Sequence, residues 1–336
     1  MPDDGLGLLT GPRVEPLLRA AVEHQGGQLL SWAIEHVDAA PEHSTTATYL
    51  ATVAWPHGQR TELLGVSART GPLLPSDSRA EIFEDGHRRV AVWLYPDDPD
   101  LAGLPRAAFP ERMADTLNAG GVTSRRVAAD DLTLTMVGYR PRRRAVVRVE
   151  IAGTAEVFYV KVLRERMFAD VHAKHVMLRR AGVPAPEVAL ATEDHLLVLR
   201  KLPGTSLATA LFEPGDPCSP EQLIELLDSM PPSVASLERR PPWADAVAHY
   251  SAMVGATLPE LGDELGELTG RITTGLAGFP PGVESTHGDF HEGQLRVDGG
   301  RVVGLLDVDT IGPGRRADDL ACLIGHLSTI QRMNPE

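Results

Sequence analysis

Two cysteines, Cys218 and Cys322, are all that 336 residues contain, and they stand far apart without metal-ligand spacing. A disulfide framework and a thiolate metal cluster are thereby excluded as organising devices, and a reducing cytoplasm is the natural compartment. Positive charge is scarce as well: 32 Lys and Arg face 46 Asp and Glu, a formal net charge of −14. Nucleic-acid binders need a basic footprint for phosphates, so that partner class is not expected, whereas a cationic small molecule would be tolerated. No run approaches the roughly 20 apolar residues of a spanning helix, which speaks against a membrane partner. The opening MPDDGLGLL has neither a basic n-region nor a long apolar core, and no export is expected.

What is present is an ordinary globular composition, 43% apolar, over a length that suggests about two domains. Its chemistry concentrates in one stretch, His287 to Asp309, reading HGDFHEGQLRVDGGRVVGLLDVD. LRV and RVVGLL read as short strands joined through Asp298, Gly299 and Gly300, a turn in which glycine supplies positive φ. Such a hairpin returns Asp307 to the loop that carries Asp289 and Gln294, and strand alternation would put Asp307 and Asp309 on one face. Oxygen-only ligands of this kind suit a hard cation such as Mg²⁺. Phosphoryl transfer asks for these residue types, a carboxylate to take a hydroxyl proton and oxygen ligands for the ion that bridges the phosphates. Asp289 is then the base, and Gln294, Asp307 and Asp309 the metal ligands. A rival reading takes His287, Asp289 and His291 as an H-x-D-x-H zinc triplet of a metal-dependent hydrolase, which leaves Gln294 and the paired aspartates without a role. His287 is alternatively a brace that hydrogen-bonds backbone, and His291 receives no assignment.

HGD, a carboxamide five residues beyond its aspartate, and an aspartate closing the hairpin resemble the aminoglycoside phosphotransferase and choline kinase superfamily, relatives of the protein kinases. The variant HGDxHxGQ is most similar to actinobacterial sugar kinases such as maltokinase and glucosamine kinase. The resemblance covers about residues 131 to 327. It implies an α+β, protein-kinase-like two-lobe fold behind an N-terminal α+β cap. It also implies ATP (or GTP) and Mg²⁺ as cofactors, and transfer to a hydroxyl of a sugar, amino sugar or aminoglycoside. The expected division is a cap over 1–122, an N-lobe over 123–203 and a helical C-lobe over 204–336.

In chain order, 13–25 has helical apolar spacing, and LLSWAIEHV, TTATYLATVAW, TELLGVSA and RRVAVWLYP read as strands. FPERMADTLNAGG reads as a helix closed by glycine. The cap's aromatics, Trp32, Tyr49, Trp55, Trp93 and Tyr95, are expected in its core. Three strands follow, LTLTMVGYR, RAVVRVEIAG and EVFYVKVL. Their first turn lies where relatives cover the nucleotide but holds a single glycine, Gly138, so Arg143 and its neighbours Arg142 and Arg144 are candidates to supply charge or, equally, form a solvated basic turn. Lys161, mid-strand among apolar residues, is expected on the α- and β-phosphates. A helix around Phe168 to Arg180 should carry its acidic partner, for which only Asp170 and Glu165 offer themselves. Arg200, Lys201 and Leu202 are expected to meet the adenine through backbone groups. Beyond Gly204 the chain reads as helices, among which His249, Glu260, Asp263 and Glu264 could face an acceptor or simply solvent, and Asp318 or Asp319 is expected to cap the last one. The missing helix glutamate and thin glycine loop also fit a non-catalytic nucleotide-binding regulator, as does a chain that stops at Glu336, before the helices with which relatives wall the acceptor site.

Overall fold

The computed structural model describes residues 5–40, 44–70, 74–85 and 88–333. Contacts divide the chain into two compact units, Met1–Asp170 with Val188–Lys201, and Val171–Glu187 with Leu202–Glu336.

The first unit opens with helices α1 (Leu6–Leu9) and α2 (Glu15–His24) and strands β1 (Gln28–Ala40), β2 (Ser44–Trp55), β3 (Gly58–Thr70), β4 (Glu81–Asp85) and β5 (Arg88–Leu94). The strands form one antiparallel sheet in the order β1-β2-β3-β5-β4. Trp55 pairs with Gly58, so Pro56 and His57 make a two-residue turn. Leu18, Ala21 and Val22 recur at helical spacing on α2 and bury against Val53, Leu64 and Val92 of the sheet. Tyr49 is fully buried because its hydroxyl has a partner, the Leu9 carbonyl at 2.6 Å.

Helices α3 (Leu104–Ala108) and α4 (Pro110–Gly120) come next, followed by β6 (Leu132–Arg140), β7 (Arg144–Ile151), β8 (Val157–Leu163), helix α5 (Glu165–Arg180), β9 (Val188–Ala191) and β10 (Leu196–Arg200). A second five-stranded antiparallel sheet results, ordered β6-β7-β8-β10-β9. Leu104, Met113 and Leu117 of α3 and α4 share a core with Val147, Val149, Val160 and Val198 of this sheet. The boundary between the two units runs through α5. Neither β4 nor β9 is legible beforehand: each is an edge strand of four or five residues. Such a length leaves little alternation to read.

The second unit contains β11 (Thr205–Ser206), α6 (Leu207–Ala210), α7 (Pro220–Asp228), α8 (Val247–Thr257) and α9 (Gly262–Leu276). It continues with β12 (Glu284–Thr286), β13 (Leu295–Asp298), β14 (Arg301–Leu305), β15 (Gly312–Gly314) and α10 (Arg316–Met333). The expected hairpin is β13–β14, and Gly299 and Gly300 carry φ of 54° and 72° as a tight primed turn requires. Phe290, Leu295, Leu305, Val308 and Ile311 are buried with Leu178, Val183 and Leu227, so the loops around the hairpin are anchored by their own apolar residues. His249, Glu260, Asp263 and Glu264 are all exposed, the solvated faces that were one of their two readings. Among the described residues no helix is long and apolar enough to cross a membrane.

Candidate active site

The loop between β12 and β13 is held from behind by a single carboxylate. Asp319, 2% exposed on the first turn of α10, accepts the backbone N–H groups of His287 and Gly288, each at 2.7 Å. Burial pushes its carboxyl above the usual range, while the two N–H donors pull the other way. This replaces the capping role expected of Asp318 or Asp319: Asp318 pairs with Arg315 at 2.9 Å, and Asp319 serves a loop about 30 residues earlier, a distance no local pattern encodes. Gly288 has φ of 82°, and a Cβ there would stand 2.7 Å from the Thr310 carbonyl oxygen. The hydroxyl of Thr310 donates to the His287 carbonyl at 2.8 Å.

His287 is fully buried, and its Nε2–H donates to the Leu306 carbonyl at 2.9 Å, the bracing role that was one of its two readings. Phe290 is buried as well. Between these two inward residues Asp289 keeps its side chain 24% exposed. A carboxylate is thus presented at the surface by a loop whose neighbours on both sides are locked in the core. With His287 turned to Leu306, the H-x-D-x-H triplet is not assembled among the described residues.

The hairpin brings the proposed oxygen ligands to one end. Leu306 N–H donates to the Gln294 carbonyl at 2.7 Å and Leu295 pairs with Leu305, so just beyond the strand ends Gln294 faces Leu306, the residue before Asp307. Asp307 sits at φ 48°, ψ 55°, in the left-handed region that aspartate tolerates better than most residues. Strand alternation does not govern Asp307 and Asp309, because β14 ends at Leu305 and Val308–Thr310 is a 3-10 turn. Asp309 is 8% exposed, and its carbonyl accepts from Lys174 Nζ at 2.9 Å. Lys174, itself 3% exposed, was missed; it follows the buried Val171 and precedes the buried Leu178 at helical spacing, a core pattern with a lysine inside it.

His291 links Asp289 to Gln294. Its Nε2 lies 4.0 Å from the Asp289 carboxylate and 3.0 Å from the Gln294 carboxamide. Gly293 N–H donates to Nδ1 at 3.1 Å, so the neutral ring carries its proton on Nε2. The carboxamide nitrogen of Gln294 faces this Nε2; since a proton on Nε2 needs an acceptor, we assign the amide in the flipped orientation, with its oxygen toward the ring. Burial lowers the His291 pKa, partly offset by the nearby Asp289 carboxylate.

In the first unit Lys161 is 5% exposed on β8, paired across the sheet with Val146 and Leu197. In the turn after β6, Pro141 and Arg142 are buried while Arg143 stays exposed. Arg142, with φ of 60° and 6% exposure, donates its backbone N–H to Asp98 at 2.8 Å and its guanidinium to Asp77 and Asp100. Asp98 also accepts from the Tyr139 hydroxyl at 2.7 Å, and the Trp93 indole donates to Tyr139 at 3.0 Å. Arg143 is half exposed and pairs with Asp38 of β1 at 3.3 Å. Arg200 donates to the Val122 carbonyl at 3.3 Å and lies over the Phe158 ring, while Lys201 N–H is committed to the Val157 carbonyl at 3.1 Å. Leu202, the first residue of the second unit's main segment, packs near Gly304 of β14.

A family model described as the phosphotransferase enzyme family (APH) matches residues 136–335. Among solved structures, a macrolide 2′-phosphotransferase from Brachybacterium faecium is 17% identical, with 67% of this chain and 83% of that chain covered and a TM-score of 0.42. A thermostable mutant of the aminoglycoside phosphotransferase APH(4)-Ia is 18% identical over 61% of this chain and 80% of that one, with a TM-score of 0.39. For a choline kinase from Cryptosporidium parvum the values are 12%, 66%, 66% and 0.38. Comparison with curated proteins gives no match.

Proposed function

The chain belongs to the phosphotransferase enzyme family, and from that premise we propose that it moves the γ-phosphoryl group of ATP (or GTP) to a hydroxyl of a sugar, amino sugar or aminoglycoside. The observation that carries this reading is the Asp289 loop: a surface carboxylate on a backbone fixed by Asp319, with Gln294 and Asp307 brought to one end of the hairpin. Carbonyl and carboxylate oxygens are the donor set a hard divalent cation takes, so Gln294, Asp307 and Asp309 fit Mg²⁺. Nucleotide and Mg²⁺, when bound, supply the transferable phosphoryl group and the neutralisation of its charge.

The chain's own residues then have three tasks. Asp289 holds the acceptor hydroxyl and takes its proton as the oxygen forms its bond to phosphorus and the bond to the leaving phosphate oxygen breaks. His291 holds the Gln294 carboxamide through its ring nitrogen, while the Leu306 N–H holds the Gln294 backbone carbonyl. Lys161, in the first unit, is assigned to the phosphates, and Arg200, Lys201 and Leu202 to the base, with Arg143 as an added charge. The net charge of −14 favours a cationic acceptor over an anionic one.

A second reading, a nucleotide-binding regulator without turnover, is favoured by Lys174, which occupies the buried face of α5 where an acidic partner for a lysine was expected. ADP release measured with Mg²⁺ against a panel of sugars, amino sugars and aminoglycosides separates the two. Acceptor-dependent release supports the kinase; nucleotide binding with no release on any acceptor favours the regulator.

A further inference from the structure

Beside the Asp289 loop lies a group of donors that phosphoryl transfer leaves unused. His291, Glu292 and His326 offer ligand atoms that all fall within 4.8 Å of one another. The Glu292 carboxylate faces Nδ1 of His291 at 4.0 Å and Nδ1 of His326 at 3.5 Å. Glu292 is 8% exposed, and its Oε2 is buried without a hydrogen-bond partner. A carboxylate oxygen withdrawn from water and left unpaired is costly. A cation between the three side chains removes that cost, which a neutral imidazole 4.0 Å away does not.

We propose that His291, Glu292 and His326 form a binding site for Zn²⁺ or a similar borderline divalent ion, distinct from the oxygen-only set of Gln294, Asp307 and Asp309. Two imidazoles and one carboxylate are a zinc donor set, and nitrogen ligands select against Mg²⁺. The tautomer of His291 already suits it. With the Gln294 amide in its assigned orientation, Nε2–H is held by the carboxamide oxygen, the outer hydrogen bond that a ligating histidine usually makes, which leaves Nδ1 as the ring's metal-ligating atom. The two rings now lie stacked, centroids 4.3 Å apart and 17° from parallel. Lone pairs of stacked rings run side by side, so binding turns the rings until they converge. His326, with 47% of its side chain exposed on α10, can turn without disturbing the core. The Gly293 N–H that now donates to His291 Nδ1 passes to water. Because the same imidazole carries Gln294, a bound ion would stiffen that side chain; this consequence rests on the function proposed above, whereas binding itself does not.

The experiment titrates Zn²⁺ into the full chain against a chromophoric chelator, with millimolar Mg²⁺ present, for wild type, His326→Ala, His326→Gln and Cys322→Ser. Cys322 is included because its half-buried thiol lies one helical turn before His326. One equivalent of Zn²⁺ should bind in wild type and in Cys322→Ser, and at least tenfold more weakly in both His326 variants, whose melting temperatures should match wild type. The proposal is overturned if wild type binds no stoichiometric Zn²⁺, if the His326 variants bind as tightly as wild type, or if Cys322→Ser alone abolishes binding.

Discussion

Two loops, one in each unit, are held by the same device and put to different ends. The turn after β6 rests on Asp98, which accepts the Arg142 N–H, and the loop before β13 rests on Asp319, which accepts the His287 and Gly288 N–H groups. Both carboxyls are 2% exposed, and burial raises the pKa of each. In the first loop the side chain is consumed along with the backbone: Arg142 is buried against Asp77 and Asp100. In the second, the flanking residues are consumed and Asp289 is left partly exposed. A buried carboxylate on backbone amides makes a loop rigid; what the loop is for depends on whether its side chains are spent inside.

The contrast predicts different responses to the loss of each anchor. Asp319→Ala should show the largest effect. Two amides lose a charged acceptor, about 3 kcal/mol of stability should go, and turnover should fall by roughly a hundredfold as Asp289 shifts. Denaturant unfolding and kcat checks on the refolded sample read the two separately. Asp98→Ala should cost a similar amount, about 3 kcal/mol, since the Arg142 and Asp100 N–H groups and the Tyr139 hydroxyl lose their acceptor, yet leave kcat within about tenfold of wild type. Equal loss of turnover in both variants would erase the distinction between the loops.

Smaller changes sharpen it. Gly288→Ala combines positive φ with a 2.7 Å approach to the Thr310 carbonyl, whereas Gly299→Ala has positive φ and no atom within 4 Å. Backbone strain alone should cost the hairpin about 1–2 kcal/mol, and Gly288→Ala should exceed it. Melting curves of the two side by side decide; a larger loss at Gly299 would contradict the packing of the Asp289 loop.

The smallest effect is an acid one. Arg125 donates to both carboxylate oxygens of Asp131 at 2.9 Å and, with the Ala128 N–H, holds that carboxyl down to about 2. A depressed folded pKa gives stability that is complete above the unfolded value of about 3.9 and is lost as pH falls toward 2. Arg125→Ala should therefore narrow the stability difference between pH 5 and pH 2, as followed by unfolding at fixed denaturant. An unchanged acid profile would show that the pair contributes nothing, as exposed pairs often do.

Much of this arrangement was legible because it is local. The hairpin was announced by Asp298-Gly299-Gly300 between apolar runs, the strand bearing Lys161 by its β-branched neighbours, and α2 by its spacing. What could not be read depends on partners distant in sequence. Asp319 looks like a helix cap until it is seen to accept amides at positions 287 and 288. Arg142 looks like a solvated basic turn because Asp77 and Asp98 lie 65 and 44 residues away. Lys174 and the pairing of His291 with His326 are side-chain encounters that periodicity cannot specify. Strand alternation failed at Asp307 and Asp309 for a different reason, a left-handed residue that ends the strand early.

The central claim is that Asp289 takes the acceptor proton on a loop that needs no help from that side chain to stay folded. Wild type and Asp289→Asn should be compared for nucleotide binding and for acceptor-dependent ADP release on the same preparations. The account predicts unchanged nucleotide affinity and melting temperature, with release lost by orders of magnitude in the variant. Normal release from Asp289→Asn would contradict it.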